Sequence, residues 1–343
     1  MANVSLASTF SFSVRLIFGG RLFLVTGLLT VASVPIIYWR LDNNISSARF
    51  LSEEERAQAL ERLRANQTGI GSQSLKWSQI REVFFDVKTY LFIAMALANN
   101  LGAQVTNTFG PIILAGFGFD KFKTTLLNIP FGAIQYLVIL AVAYAAFKLR
   151  YKSLSLLLIL FPILAGLALL YLLPRNSEST KFLLLGYYLL AFIFGGNTLI
   201  VSWILANTAG QTKKSGILSL YNAASSTGNI IGPLLFNAVD APAYLPGLRA
   251  TLGVFFGMVI AVVLQVGNLV LLNQQHERMR VANGKPARIH DWSMEEHVHH
   301  HNHGEEEEEE EGEGEGEERE RGLGRQAFAD MTDRENDEFI FVY

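Results

Sequence analysis

Apolar residues in this chain gather in long blocks. Seven runs, at 22–39, 89–110, 124–147, 153–173, 182–206, 215–239 and 250–272, hold few polar side chains. As helices they are long enough to cross a hydrocarbon layer about 30 Å thick. None contains Asp or Glu. A central charge costs roughly 2.5–3.5 kcal/mol on insertion scales, so the absence fits helices inserted in lipid. The pattern predicts an all-α integral membrane protein with seven transmembrane spans. It divides into an N-terminal lead-in (1–21), a first span (22–39), a long polar loop (40–88), a six-helix bundle (89–274) and a polar tail (275–343).

The long loop has structure of its own. Ser52 followed by Glu55 forms a capping box that opens a helix. Trp77, Ile80, Phe84 and Val87 recur at helical spacing, with Lys76, Arg81 and Lys88 beside them. Such a helix suits the plane of a membrane face, and an ordinary amphipathic linker suits the pattern equally.

Polar side chains within the spans fall into stripes. Asn100, Gln104 and Asn107 share a helical face in the second span, as do Asn128 and Gln135 in the third. In the sixth, Asn222, Ser225 and Asn229 form a polar face, while Ala224, Gly228 and Gly232 stand a quarter turn away at small-xxx-small spacing. Asn197 lies in the fifth span. The stripes predict a solute pathway lined by Asn100, Gln104, Asn107, Asn128, Gln135, Asn197, Asn222 and Asn229, with Ala224, Gly228 and Gly232 as the packing face. Hydrogen bonding that only holds the bundle together is the simpler account of any one of them. Pro130, Pro162 and the Gly195–Gly196 pair sit inside spans, where breakers mark kinks.

Charge sets the orientation. One set of loops carries Arg40, Arg49, Arg56, Arg62, Arg64, Lys76, Arg81, Lys148, Arg150, Lys152, Lys213 and Lys214. The alternate loops carry Lys121, Lys123, Arg175, Lys181 and Arg249. The positive-inside rule places the long loop and the C-terminus in the cytoplasm and the N-terminus outside. With 50% hydrophobic and 17% charged residues the composition agrees with a membrane protein. The net charge of −3 hides a basic remainder behind the acidic run Glu305 to Glu311. There is no cysteine, which excludes disulfides and thiolate metal sites. No nucleophile–base arrangement, metal triad or phosphate-cradling glycine loop points to an enzyme, and no cofactor or nucleic-acid partner is expected.

Several segments resemble the allantoate permease branch of the major facilitator superfamily, the fungal anion:cation symporters. Ala48–Arg56, Glu61-Arg62 and Asn66–Ile70 are similar to that family's central cytoplasmic loop. Gly116–Phe119 and Thr124–Pro130 resemble the approach to its eighth helix, and Asn207–Lys214 the end of its tenth. Gly228-Asn229-Ile230-Ile231-Gly232-Pro233 resembles its eleventh, and Asp330–Asn336 with Phe339 its C-terminal tail. The resemblance makes the seven spans helices six to twelve of twelve: the superfamily's C-terminal six-helix bundle plus one preceding helix. It implies proton symport of a small organic anion, such as allantoate, a vitamin or a peptide-like solute, at the plasma membrane. It also implies an N-terminal half as partner, since the substrate lies between two halves. The family's gate loop carries Asp and Gly, and Phe147–Lys152 lacks both. No Asp, Glu or His lies in a span, so a proton-coupling group belongs to the other half. A transport-incompetent fragment and a seven-helix receptor are the competing readings. The long first loop and absent cysteine count against the receptor.

The tail is expected to be disordered. Glu305 to Glu318, interleaved with glycines, is a solvated acidic segment. His297, His299, His300, His301 and His303 could bind Zn²⁺, but low-complexity drift explains them more simply. Of the sequons at Asn3, Asn44 and Asn66, only Asn3 falls on the expected outer side.

Overall fold

The computed structural model describes residues 24–40, 42, 48–56, 59, 75–117, 119–149, 151–241, 243–289 and 330–343. The lead-in, the three sequons, the histidine run and the acidic run lie outside them. The described residues form helices and turns, with no strand. The chain divides into two compact units, Met1–Arg62 and Leu63–Tyr343.

In the first unit, α1 (Leu24–Arg40) is an apolar helix with its large side chains exposed. The capping box forms reciprocally: the Ser52 amide donates to the Glu55 carboxylate at 2.9 Å, and the Glu55 amide to Ser52 Oγ at 3.2 Å.

The second unit opens with α2 (Trp77–Phe85) and α3 (Val87–Asn107), separated at Asp86. Asp86 takes extended backbone angles, and its side chain accepts from the Lys88 amide, capping α3. The sequence pattern ran α2 into Val87; the cap explains the break. Next come α4 (Gly110–Gly116), α5 (Lys121–Leu149), α6 (Lys152–Leu172) and α7 (Thr180–Leu189). A 3-10 turn, Leu190–Phe192, joins α7 to α8 (Ile193–Ala206). Then follow α9 (Gln211–Leu234) and the long α10 (Leu245–Ala282).

Four helical stretches are long and apolar enough to cross a membrane: Phe122–Lys148, Lys152–Leu172, Thr180–Ala206 and Leu245–Ala282. The other long helices, α3 and α9, have 21 and 24 residues, about 31 and 36 Å at 1.5 Å per residue. They carry the asparagines and serines, which dilute their apolar character. Expected boundaries shift by a few residues for most helices, and α10 runs on to Ala282, well past the expected end at 272. The span drawn to 110 stops at Asn107, and α9 stops at Leu234.

The most extensive helix pair among the described residues is α3 with α9. A Cβ on Gly228 would lie 2.7 Å from the Leu97 carbonyl oxygen, and one on Gly232 2.8 Å from that of Leu101. With Ala224 also buried, this face of α9 lies against α3. Helix α10 packs on α3 and α6, and α8 on α3, α5 and α6. Phe92 and Trp203 meet edge to face at 5.4 Å in the core. Outward faces are apolar: Leu137, Leu140 and Tyr144 on α5, and Ile260, Val263 and Leu264 on α10, are exposed. Such a skin has lipid as its natural solvent.

Two expectations change. The Gly195–Gly196 pair lies within the continuous α8; its role is room, since a Cβ on Gly196 would fall 2.3 Å from Asn99 Oδ1. The segment from 275 is not uniformly a disordered tail. Helix α10 continues to Ala282, and residues 330–343 pack against the bundle, with Thr332, Asp333, Asn336, Phe339 and Phe341 buried.

Candidate functional site

The α3 stripe meets α8 and α9 through Asn100, and α9 again through Gln104, in two neighbouring hydrogen-bonded clusters. Asn100 is buried and directs its Nδ2 at Asn197 Oδ1 (3.0 Å), Ser225 Oγ (3.0 Å) and the Ala96 carbonyl (2.9 Å). Asn197 Oδ1 also accepts from Asn99 Nδ2 and from the Tyr221 hydroxyl, each at 3.1 Å. One turn along, Gln104 Nε2 donates to Asn229 Oδ1 at 2.7 Å, and the Thr108 hydroxyl donates to Gln104 Oε1. An amide NH₂ has two protons and an amide oxygen two lone pairs. Asn100 Nδ2 has three acceptors in range and Asn197 Oδ1 three donors, so the network holds more partners than it can satisfy at once. Asn99 Oδ1 is buried without a partner.

The other predicted pathway residues are placed elsewhere. Asn128 forms a separate pair, accepting at Oδ1 from the Tyr187 hydroxyl at 2.8 Å. Gln135 is half-buried on α5, and Asn107 and Asn222 are exposed. Sequence reading passed over Asn99, Tyr221 and Tyr187. Tyr221 stands four residues before Ser225, so it shares that face as well as Asn222 does. A groove of about 530 Å³ is lined by Ile80, Val83, Phe84, Thr212, Gly216 and Leu220 among others, and by none of the predicted pathway residues.

A second cluster, absent from the sequence reading, lies where α2, the start of α3 and the start of α9 meet. Lys213 Nζ sits 2.6 Å from Glu82, 2.9 Å from Asp86 and 3.0 Å from Asp333. Lys88 pairs with Asp333 and, at 3.3 Å, with Asp86. Arg334 approaches Asp86 at 3.6 Å. Three cations thus face three carboxylates. The oxygens of Glu82, Asp86 and Asp333 are close enough together to hold a metal ion, but the Lys213 ammonium already fills that place. Burial opposes the charge on Lys213, yet Asp333, Asp86 and Glu82 outweigh it and raise its pKa. Burial likewise pushes Asp86 up, and Lys88, Lys213 and Arg334 more than reverse it, leaving its carboxyl below the usual range.

The α9 start is built to receive these groups. Gly210 has φ 87°, where a side chain is strained, and a Cβ there would also meet Gln79 at 2.9 Å. Gln79 Oε1 accepts from the Thr212 and Lys213 amides at 3.1 Å, capping the helix from another element. Consequently α2 turns Gln79 and Val83 inward and leaves Trp77 and Phe84 exposed.

Comparison with known proteins agrees with this architecture. Residues 6–233 match the family described as the Major Facilitator Superfamily. The chain is 35% identical over 277 residues to the MFS-type transporter cnsL of Penicillium expansum, covering 79% of this chain and 56% of that protein. It is 32% identical to the thiamine pathway transporter THI73 of Saccharomyces cerevisiae, covering 67% and 44%. It is 30% identical to the allantoate permease of the same yeast, covering 76% and 49%. The chain therefore spans about half the length of the curated relatives it matches. No solved structure matches it significantly.

Proposed function

This chain belongs to the Major Facilitator Superfamily and is a multi-pass membrane protein; on that premise we propose that it forms one wall of a transmembrane pathway for a small polar solute. The observation that carries the reading is the network of Asn99, Asn100, Asn197, Tyr221 and Ser225, with the separate Gln104–Asn229 pair one turn along. It joins three helices with neutral donors and acceptors, and it is over-supplied with partners. A solute bringing its own amide, hydroxyl or carboxylate oxygens can replace internal bonds one for one, so binding leaves few polar groups unpaired.

The finer proposal is a small organic anion taken up with a proton, in the manner of allantoate or a vitamin. Support comes from the names of the relatives and from the motif resemblance. The seven expected spans lack Asp, Glu and His, so these helices supply hydrogen bonds and the proton is bound elsewhere. We further propose seven spans, with the long loop and C-terminus in the cytoplasm and the plasma membrane as location.

The test is uptake of radiolabelled allantoate by proteoliposomes containing this chain, with and without an inward proton gradient. Gradient-driven accumulation supports the reading. Absence of uptake for allantoate and a panel of other organic anions would sink the idea that this chain transports by itself.

A further inference from the structure

We propose that the α2 end of the bundle is a binding site for an acidic, aromatic peptide segment, occupied by residues 330–343 as a releasable ligand of their own chain.

The segment is held as a peptide is held by a receptor. Asn207 clasps Val342 with two bonds: its Nδ2 donates to the Val342 carbonyl at 2.9 Å and its Oδ1 accepts from the Val342 amide at 2.8 Å. Asn273 clasps Phe341 the same way, at 2.9 and 2.8 Å. Trp203 Nε1 also donates to the Val342 carbonyl, Arg280 donates to that of Asp337, and the Lys152 amide donates to Tyr343. Side chains thus do most of the work that strand pairing would do in a sheet. Phe339 and Phe341 supply the anchors: both are buried, and the Phe341 ring lies beneath Lys88 Nζ at 4.8 Å and beside His276 at 5.1 Å. Acidic side chains have dedicated partners. Asp333 takes Lys88, Lys213 and the Ala209 amide; Asp330 takes Lys76 and the Gln211 amide; Asp337 and Glu338 take Lys285.

Charge bookkeeping makes release feasible. Departure of the segment removes Asp333 and Arg334 together. Lys88 and Lys213 are then left with Asp86 and Glu82, whose oxygens already lie at 3.3, 2.9 and 2.6 Å. Two cations face two carboxylates in the cluster, and the buried Arg280 keeps the Ala287 carbonyl and the charge of Glu277, so no buried cation loses every partner, which is the usual obstacle to opening such a site. When docked, the segment ties α2, α3, α6, α8, α9 and α10 at one end, and its departure frees the α9 start from α10.

The test needs no transport and is independent of the solute reading. A protease site is placed in the full chain within residues 290–329, and the detergent-purified protein is cut after folding. The fragment should co-elute with the bundle on size exclusion and exchange with a labelled synthetic peptide of residues 330–343. A peptide carrying Asp333→Lys and Phe341→Ala should exchange at least tenfold less well. Separation of the fragment on cutting, with the bundle still monodisperse, overturns the proposal. So does a fragment that never exchanges, or equal exchange by the altered peptide. Should the inserted site impair folding, the uncut chain carrying Ile340→Cys with a polarity-sensitive dye reports the same event. Excess native peptide should red-shift the dye, and an unchanged spectrum counts against release.

Discussion

Gly196 and Asn99 share one space. Asn99 Oδ1 occupies the position against α8 that any larger residue at 196 would claim, since a Cβ there would lie 2.3 Å away. The absent side chain therefore lets Asn99 reach Asn197 from α3. Gly196→Ala should displace Asn99, disturb the network and cost about 1–3 kcal/mol, as overpacking does. The check is thermal unfolding in detergent. An unchanged midpoint would mean that Asn99 has room to turn aside.

Removing the Lys213 ammonium should be more damaging. Lys213→Met leaves Glu82, Asp86 and Asp333 facing Lys88 and a half-exposed Arg334. Breaking a buried pair on one side costs about 3–5 kcal/mol. A loss below about 1 kcal/mol by the same assay would indicate that water reaches the cluster.

The pH dependence of docking follows from which groups are shifted. Burial of Asp330 is outweighed by the Gln211 amide and Lys76, and burial of Asp337 by Lys285 and Asn283, so both these carboxyls of the segment lie below the usual range. Depressed carboxylates stabilise above their unfolded pKa of about 3.9, and that contribution is lost as pH falls through the folded value. Lys213 and Lys285 are raised, so their contribution is complete below about pH 10.4 and is lost only as pH rises through their higher folded values. The dye at Ile340→Cys should read a docked segment from about pH 5 to 9 and release below about pH 4. Release well above the carboxylate range but on the acid side of neutrality would instead implicate His276, whose Nδ1 contacts the Phe339 carbonyl.

Among the asparagines, position should separate function from exposure. In a transport-competent assembly, Asn100→Leu strands Asn197 and Ser225 and should lower uptake at least tenfold. Asn222→Leu, on the exposed side of α9, should change it less than threefold unless solute touches that face. Equal effects would merge the two into one lining. Normal uptake in Asn100→Leu would make the network structural.

Physical range divides what the sequence by itself determined from what the tertiary structure decided. Helix character, apolar spans, the Ser52–Glu55 box and the small face at Ala224, Gly228 and Gly232 repeat within a few residues, so local periodicity displays them. The α3 stripe was legible for the same reason, and Asn100 and Gln104 do meet α8 and α9. Azimuth was less so: Tyr221 and Asn222 differ by one residue, and only packing against α3 turned Tyr221 inward. The Lys213 cluster had no local signature. Lys213 counted only as a loop charge, Glu82 and Asp86 carried no pattern of their own, and Asp333 stood beyond an acidic run that argued for solvation. Pairing across more than a hundred residues leaves no period in a chain, so only the folded ends of α2, α3 and α9 revealed why Asp333 and Phe341 return to the bundle.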